Sequence, residues 1–239
     1  MSRIFVTGDT HGSLELKKLS NKNFPLAREL TKDDIVIICG DAGFLWNNTK
    51  ETQYWDDWAE DRPFTIISCF GNHSNYTALR SIPTTIWNGA QVRKVRPHVM
   101  YIENGEIATI NQKTFFFMGG AHSVDKAYRT LGISYWEEEI PSYQEFQHAA
   151  ANLQHYNDRV DYIISHTGPN SLVHHLFPYE DATDSVTNFL EKYVNNCVEF
   201  KRWFLGHFHI DRSYANQKYN ILYDDIIELL PNNEMRLAI

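Results

Sequence analysis

The sequence predicts a single-domain α/β fold (α+β by some schemes) with mixed sheets, on three observations. Short apolar runs alternate with polar helical stretches through the first half of the chain, the pattern of parallel βαβ units. The middle and the end carry hairpin signals instead, Asn104-Gly105 inside VMYIENGEIATI and a turn within Ile221–Leu230. No linker, internal repeat or low-complexity segment interrupts the 239 residues, so residues 1–239 read as one domain.

The elements follow in order. A strand over residues 3–8 precedes a helix expected within 13–22. Strand 35–40 leads into the aromatic and acidic stretch NNTKETQYWDDWAED, and strand 64–70 into a helix near 74–81. KTFFFMGG reads as a buried strand. Ser142 and Glu145 stand in capping-box spacing before a long helical pattern. Strand 160–165, a helix around 184–196 and a strand ending at Gly206 complete the core.

Composition narrows the function. The net charge of −8 disfavours a surface built to grip long nucleic acid. The three cysteines, Cys39, Cys69 and Cys197, cannot close a disulfide framework, and two fall in apolar strands, as reduced core thiols of a cytoplasmic protein would. The first strand starts at Arg3, so no secretory leader is expected. No apolar run approaches the length of a membrane span.

The strand ends carry the chemistry. RIFVTGDTHG delivers Asp9 and His11, IVIICGDAG Asp41, TIISCFGNHS Asn72 and His73, VDYIISHTGP His166, and RWFLGHFHID His207 and His209. Ligands in open α/β sheets collect at the carboxyl ends of strands, where glycine lets the chain turn tightly. Imidazole and carboxylate together suit zinc, iron, manganese or nickel. Asp9, His11, Asp41, Asn72, His166, His207 and His209 are too many donors for one ion of ordinary coordination number and suit two ions sharing a carboxylate.

GDTHG, ICGDAG, FGNH, ISHTGP and LGHFH, in that order between residues 8 and 209, resemble the motif series of the calcineurin-like metallophosphoesterase family over almost the whole chain. The resemblance implies two mixed β-sheets packed as a sandwich with flanking helices and two divalent metal ions at one end. It implies that Asp9, His11 and His209 hold one ion, that Asn72, His166 and His207 hold the other, and that Asp41 bridges them. The activity implied is phosphoester hydrolysis by a bridging hydroxide that attacks phosphorus, with His73 contacting the phosphoryl group or protonating the leaving oxygen. A phosphatase acting on monoesters is the first expectation. A phosphodiesterase or nuclease on the same centre is the second, and a non-catalytic scaffold of this fold the third.

The chain departs from the family in two blocks: Ser74 follows GNH where an acidic residue is common, and the second motif differs more. Many members continue the second motif as G-D-x-x-D-R-G, but here Phe44 and Leu45 stand where the Asp and Arg would be. His73 then needs another orienting group, and phosphate another cation. GGAHSVDKAYR follows a buried strand, which makes Arg129 and His122 the candidate substrate-binding residues. Trp46, Tyr54, Trp55 and Trp58 read as helix-face packing or as a substrate-stacking wall, and WEEE at 136–139 as a solvated acidic loop.

Overall fold

The apolar runs become strands of two sheets. The computed structural model describes residues 2–178 and 184–238. Along the chain the strands are β1 (Ile4–Thr7), β2 (Ile35–Ile38), β3 (Thr65–Ser68), β4 (Thr84–Trp87), β5 (Ala90–Arg96), β6 (Val99–Ile102) and β7 (Ile107–Ile110). There follow β8 (Lys113–Met118), β9 (Tyr162–Ser165), β10 (Arg202–Leu205), β11 (Arg212–Tyr214), β12 (Tyr219–Ile221), β13 (Ile226–Leu229) and β14 (Met235–Leu237). An eight-stranded sheet has the order β14-β13-β1-β2-β3-β6-β5-β4, and a six-stranded sheet the order β11-β12-β10-β9-β8-β7. Each has a parallel centre, β1-β2-β3-β6 in one and β8-β9-β10-β12 in the other, with antiparallel strands at its edges.

Both faces of the central strands are covered, which explains why they read as continuous apolar runs rather than alternating ones. Ile4 and Val6 of β1 meet Phe115, Phe117 and Ile164 of the second sheet in the core between the sheets. Phe5, one residue out of phase, packs outward with Leu16, Phe24 and Phe64. Phe116, Ile163 and Trp203 face the opposite outer layer. Each such side chain removed from water contributes roughly 1.5–3 kcal/mol.

The outer layers hold the helices α1 (Lys50–Glu60), α2 (Tyr76–Arg80), α3 (Tyr143–His155), α4 (Asn170–Leu176) and α5 (Ser185–Phe189). The Thr49 side chain caps α1 by accepting from the Thr52 N–H. Ser142 and Glu145 form the reciprocal capping box of α3 expected from their spacing. The helix expected around 184–196 is α5 followed by a π-helical stretch, Leu190–Asn195.

Four expectations need correction. The stretch 13–22 holds only a 3-10 turn, Leu16–Leu19, because the preceding backbone is bonded elsewhere, with His11 and Gly12 donating to the carbonyls of Asp41 and Ala42. Asn104-Gly105 is no hairpin, since β6 and β7 lie in different sheets. Gly105 (φ +81°) turns a corner so close to α3 that a Cβ there would lie 2.6 Å from Ala149 Cα. The turn within Ile221–Leu230 likewise carries the chain from the second sheet back to the first, and the hairpins at this end are β11–β12 and β13–β14. WEEE is not simply a solvated loop: Trp136 and Glu139 are buried.

Candidate metal centre

The carboxyl ends of the parallel strands of both sheets meet at one point. Loops after β1, β2 and β3 bring Asp9, His11, Asp41, Asn72 and His73, and loops after β9 and β10 bring His166, His207 and His209. Asp9, Asp41, Asn72 and His166 are buried, while His209 is exposed at the rim. The glycines of these turns leave room for the ligands of neighbouring strands. A Cβ on Gly71 would sit 2.0 Å from Asp41 Oδ1, and one on Gly206 would sit 2.1 Å from Asp9 Oδ1. The turns are also tight in the functional residues themselves. His11, Asp41, His207 and His209 all have positive φ, at 36°, 47°, 67° and 51°. Non-glycine residues adopt that region rarely and clusters of it mark functional sites.

The donor atoms converge. Possible ligand atoms of Asp9, His11 and His209 lie within 4.8 Å of one another, as do those of Asp9, Asp41 and His166. His166 Nε2 is 3.3 Å from Asp41 Oδ2 and 2.8 Å from Asn72 Oδ1. The rings of His166 and His207 stand 4.9 Å apart. Two imidazoles have one nitrogen tied and the other turned inward: His11 Nδ1 meets Glu15 Oε2 at 3.0 Å, and His166 Nδ1 donates to the Cys39 carbonyl at 2.9 Å. Such partners set the tautomer that leaves Nε2 free to ligate. Asp9 Oδ2 is buried without a hydrogen-bond partner among the described residues; His209 Nε2 approaches to 3.2 Å without hydrogen-bond alignment. An orphaned carboxylate oxygen among inward-facing imidazoles fits divalent cations.

The electrostatics agree. Burial alone raises the pKa of Asp41, but His166 and His11 outweigh it and hold the carboxylate well below its usual range. Burial lowers His11 and His166, yet Asp41 and Asp9 raise both to about 9. Burial, with the neighbouring His166, lowers His207 to about 3, so this imidazole is neutral and available as a ligand. The two buried carboxylates draw positive charge into the site, as protons on His11 and His166 or as cations that displace them.

His73 also lies within ligand distance of His11 and Asp41. Its backbone N–H donates to Asp41 Oδ1 at 2.8 Å, and the Arg129 guanidinium covers its ring, Nη1 2.7 Å from Nδ1 and Nη2 2.9 Å from Nε2. A neutral imidazole has one acceptor nitrogen, so at most one of these contacts is a hydrogen bond. Arg129 is held in turn by Asp125 at 2.7 Å and by the Ser134 carbonyl at 3.0 Å. A guanidinium in this position opposes a metal ion on His73. The structure thus brings Arg129 to His73, whereas His122 is exposed and, among the described residues, only its backbone N–H is engaged, by Asp184.

Several residues here escaped sequence reading. Asn72 Nδ2 donates to Ser123 Oγ at 2.9 Å, and Ser123 Oγ donates to Glu139 Oε2 at 2.7 Å. Glu139 is fully buried and paired with Lys126. Lys18, buried beneath the first turn, donates to the carbonyls of Gly8, Asp9 and Tyr223. Tyr223 stacks on His209 with centroids 4.6 Å apart. Only Glu15, four residues after His11, left a signal in the sequence.

The family model described as calcineurin-like phosphoesterase matches residues 2–211. No curated protein sequence matches the chain. Among solved structures, GAP50, the anchor in the inner membrane complex of Plasmodium, is similar at 12% identity with a TM-score of 0.51, over 99% of this chain and 84% of that one. A protein described as a 5'-nucleotidase from Staphylococcus aureus is similar at 11% identity and a TM-score of 0.46, over 98% of this chain. The chain spans about half of that protein, 52%. Phosphopantetheinyl hydrolase from Mycobacterium tuberculosis is similar at 14% identity and a TM-score of 0.41, over 93% of this chain and 88% of that one.

Proposed function

The chain belongs to the calcineurin-like phosphoesterase family, whose members are metal-dependent hydrolases, and from that membership we propose that it hydrolyses phosphomonoesters. One observation carries the reading: two buried carboxylates, Asp9 and Asp41, converge with imidazoles from both sheets whose outer nitrogens are already tied. In this reading Asp9, His11 and His209 hold one divalent ion, Asn72, His166 and His207 the other, and Asp41 touches both. The chemistry such a pair supplies is neutralisation of phosphoryl charge and acidification of water.

The chain's own groups do the rest. His73 lines a cleft together with His11 and Asp41. Burial lowers its pKa, and Arg129 adds to that effect against the opposing pull of Asp41. A phosphoryl dianion arriving there reverses the balance by adding negative charge and drawing the Arg129 fork onto its oxygens. The His73 ring then carries the proton that the leaving oxygen takes. Arg129 replaces the arginine missing at Leu45, and it also positions His73 in place of the carboxylate missing at Phe44. Monoesters fit better than diesters of a long polyanion, given the net charge of −8.

The test is a panel of an aryl phosphate monoester, the matching diester and a nucleotide, assayed after chelation and again with manganese, zinc, iron(II) or nickel. Chelation should abolish turnover and a divalent metal restore it, with the monoester fastest. Faster diester than monoester turnover would transfer the reading to a phosphodiesterase. No turnover of any ester with any of the metals would end it.

A further inference from the structure

The cleft beside the centre has a composition of its own. It encloses about 400 Å³, within the range of small-molecule sites, and shares His11, Asp41 and His73 with the centre. Away from those residues its walls are Leu14, Trp46 and Trp55, with Asn47, Thr49 and Glu51 around them. No lysine or arginine lines it among the described residues.

The aromatic wall is braced from behind. Trp46 packs edge-on against Trp136 with centroids 5.6 Å apart, and its carbonyl accepts from Asn75 Nδ2 at 2.8 Å. The preceding residue is pinned as well, the Leu45 N–H donating to buried Asp56 at 3.1 Å. Trp136 is anchored in turn, its indole N–H donating to Thr77 Oγ1 at 2.9 Å. Trp55 is fixed on α1 between Tyr54 and Trp58, and the Lys17 ammonium lies 5.4 Å from its ring centroid. These indoles are half-buried surfaces held ready for contact, with little conformational entropy left to lose on binding.

We propose that this cleft seats the leaving group, and that it selects phosphomonoesters of flat, uncharged aromatic alcohols over esters whose leaving group is itself anionic. The proposal rests on the hydrolase reading above and adds the substrate class to it. With the phosphoryl group at the centre and its leaving oxygen toward His73, the remainder of the ester extends along the cleft between Leu14 and the two indoles. An aromatic ring there removes apolar surface from water and gains offset or edge-to-face contact with tryptophan. A second phosphate or a carboxylate would instead lie along walls whose lining charge beyond the centre is Glu51, the Lys17 ammonium near Trp55 being outside that lining.

The test uses the metal-loaded protein and two readouts. Turnover of 2-naphthyl, phenyl and glycerol phosphates and of ADP is compared, and calorimetry follows binding of the non-hydrolysable 2-naphthylphosphonate against methylphosphonate. Naphthyl and phenyl leaving groups are similar in acidity, so a higher kcat/KM for the naphthyl ester reports the cleft rather than the chemistry. The naphthyl compounds should win in both readouts, and ADP should be poorest. Trp46→Ala should lower kcat/KM for the naphthyl ester and affinity for its phosphonate by about fivefold, with inhibition by inorganic phosphate unchanged. Leu14→Asp, at a position 71% exposed and so safe for folding, should do the same. Equal affinity for the two phosphonates, or naphthyl turnover indifferent to both substitutions, would overturn the subsite. Selective naphthylphosphonate binding without hydrolysis of any ester would keep the subsite and remove the hydrolase reading instead.

Discussion

The two sheets bring unlike chemistry to the same point. The eight-stranded sheet supplies both carboxylates, Asp9 and Asp41, with Asn72, His11 and His73; the six-stranded sheet supplies only imidazoles, His166, His207 and His209. Neither edge would be stable as a site alone. The first would bury two carboxylates with few partners, and unpaired buried charge is costly. The second would present three imidazoles with no anion to collect a cation. Packing the sheets makes the site, so cation binding and sheet packing should reinforce each other.

The carboxylate side should respond most strongly to substitution. Asp41→Asn should cost more bound metal than any single histidine change and lower turnover by more than about 10²-fold, since even residues that only support ligands are worth 10–100-fold. Metal analysis of purified protein and kcat/KM check it; two full equivalents of metal with normal turnover would sink the bridging role. Metal should also raise the Tm of the wild type, and by much less in this variant.

Next in size is the pair His73 and Arg129, which spans the sheets and is expected to hold no metal. His73→Ala should keep both equivalents yet lose about 10²–10⁴ in rate, the loss shrinking for esters with good leaving groups. Arg129→Ala should lower kcat/KM by about 1.5–3 kcal/mol and weaken phosphate inhibition with metal content intact. A His73→Ala protein that sheds a metal ion, or an Arg129→Ala protein with wild-type inhibition, contradicts these assignments.

A smaller effect tests how the second sheet orients the first. Ser123, after β8, receives the Asn72 amide N–H and donates to Glu139, which turns Asn72 Oδ1 toward His166. Ser123→Ala should weaken one equivalent of metal by about 10–100-fold, Ser123→Thr should restore it, and titration calorimetry separates the two. In an Asn72→Asp background, where there is no amide to orient, Ser123→Ala should cost little. An equal loss there would make Ser123 a packing residue only.

The smallest effect lies behind the cleft. Burial, opposed by the Leu45 hydrogen bond, raises Asp56 to about 6. Its unfolded value is lower, so the native state binds the extra proton between roughly pH 4 and 6. Stability therefore falls as pH rises through that window and stays lower above it. Asp56→Asn keeps an acceptor for Leu45 and removes the titration. It should gain about 1 kcal/mol, or about 2–4 °C in Tm, at pH 7.5 and little below pH 4. A gain independent of pH would assign the effect to packing.

What the sequence determined by itself was local and chemical. Apolar runs long enough for buried strands, glycines at their ends and the donor side chains just beyond placed Asp9, His11, Asp41, Asn72, His166, His207 and His209 at strand ends, and the structure draws those ends together. The Ser142–Glu145 box was equally legible, because both partners lie within one helical turn. Tertiary structure decided the rest. Asn104-Gly105 carries a hairpin's residues, yet β6 finds its partners in β3 and β5 while β7 pairs with β8, a choice made by packing across the two sheets. An acidic run gives no sign that Glu139 will be buried on Ser123 and Lys126. Nor does local sequence foretell left-handed backbone at His11, Asp41, His207 and His209, or the tie from His166 to the Cys39 carbonyl 127 residues away. Such contacts cost chain entropy that only the completed core offsets, so their residues show no local pattern.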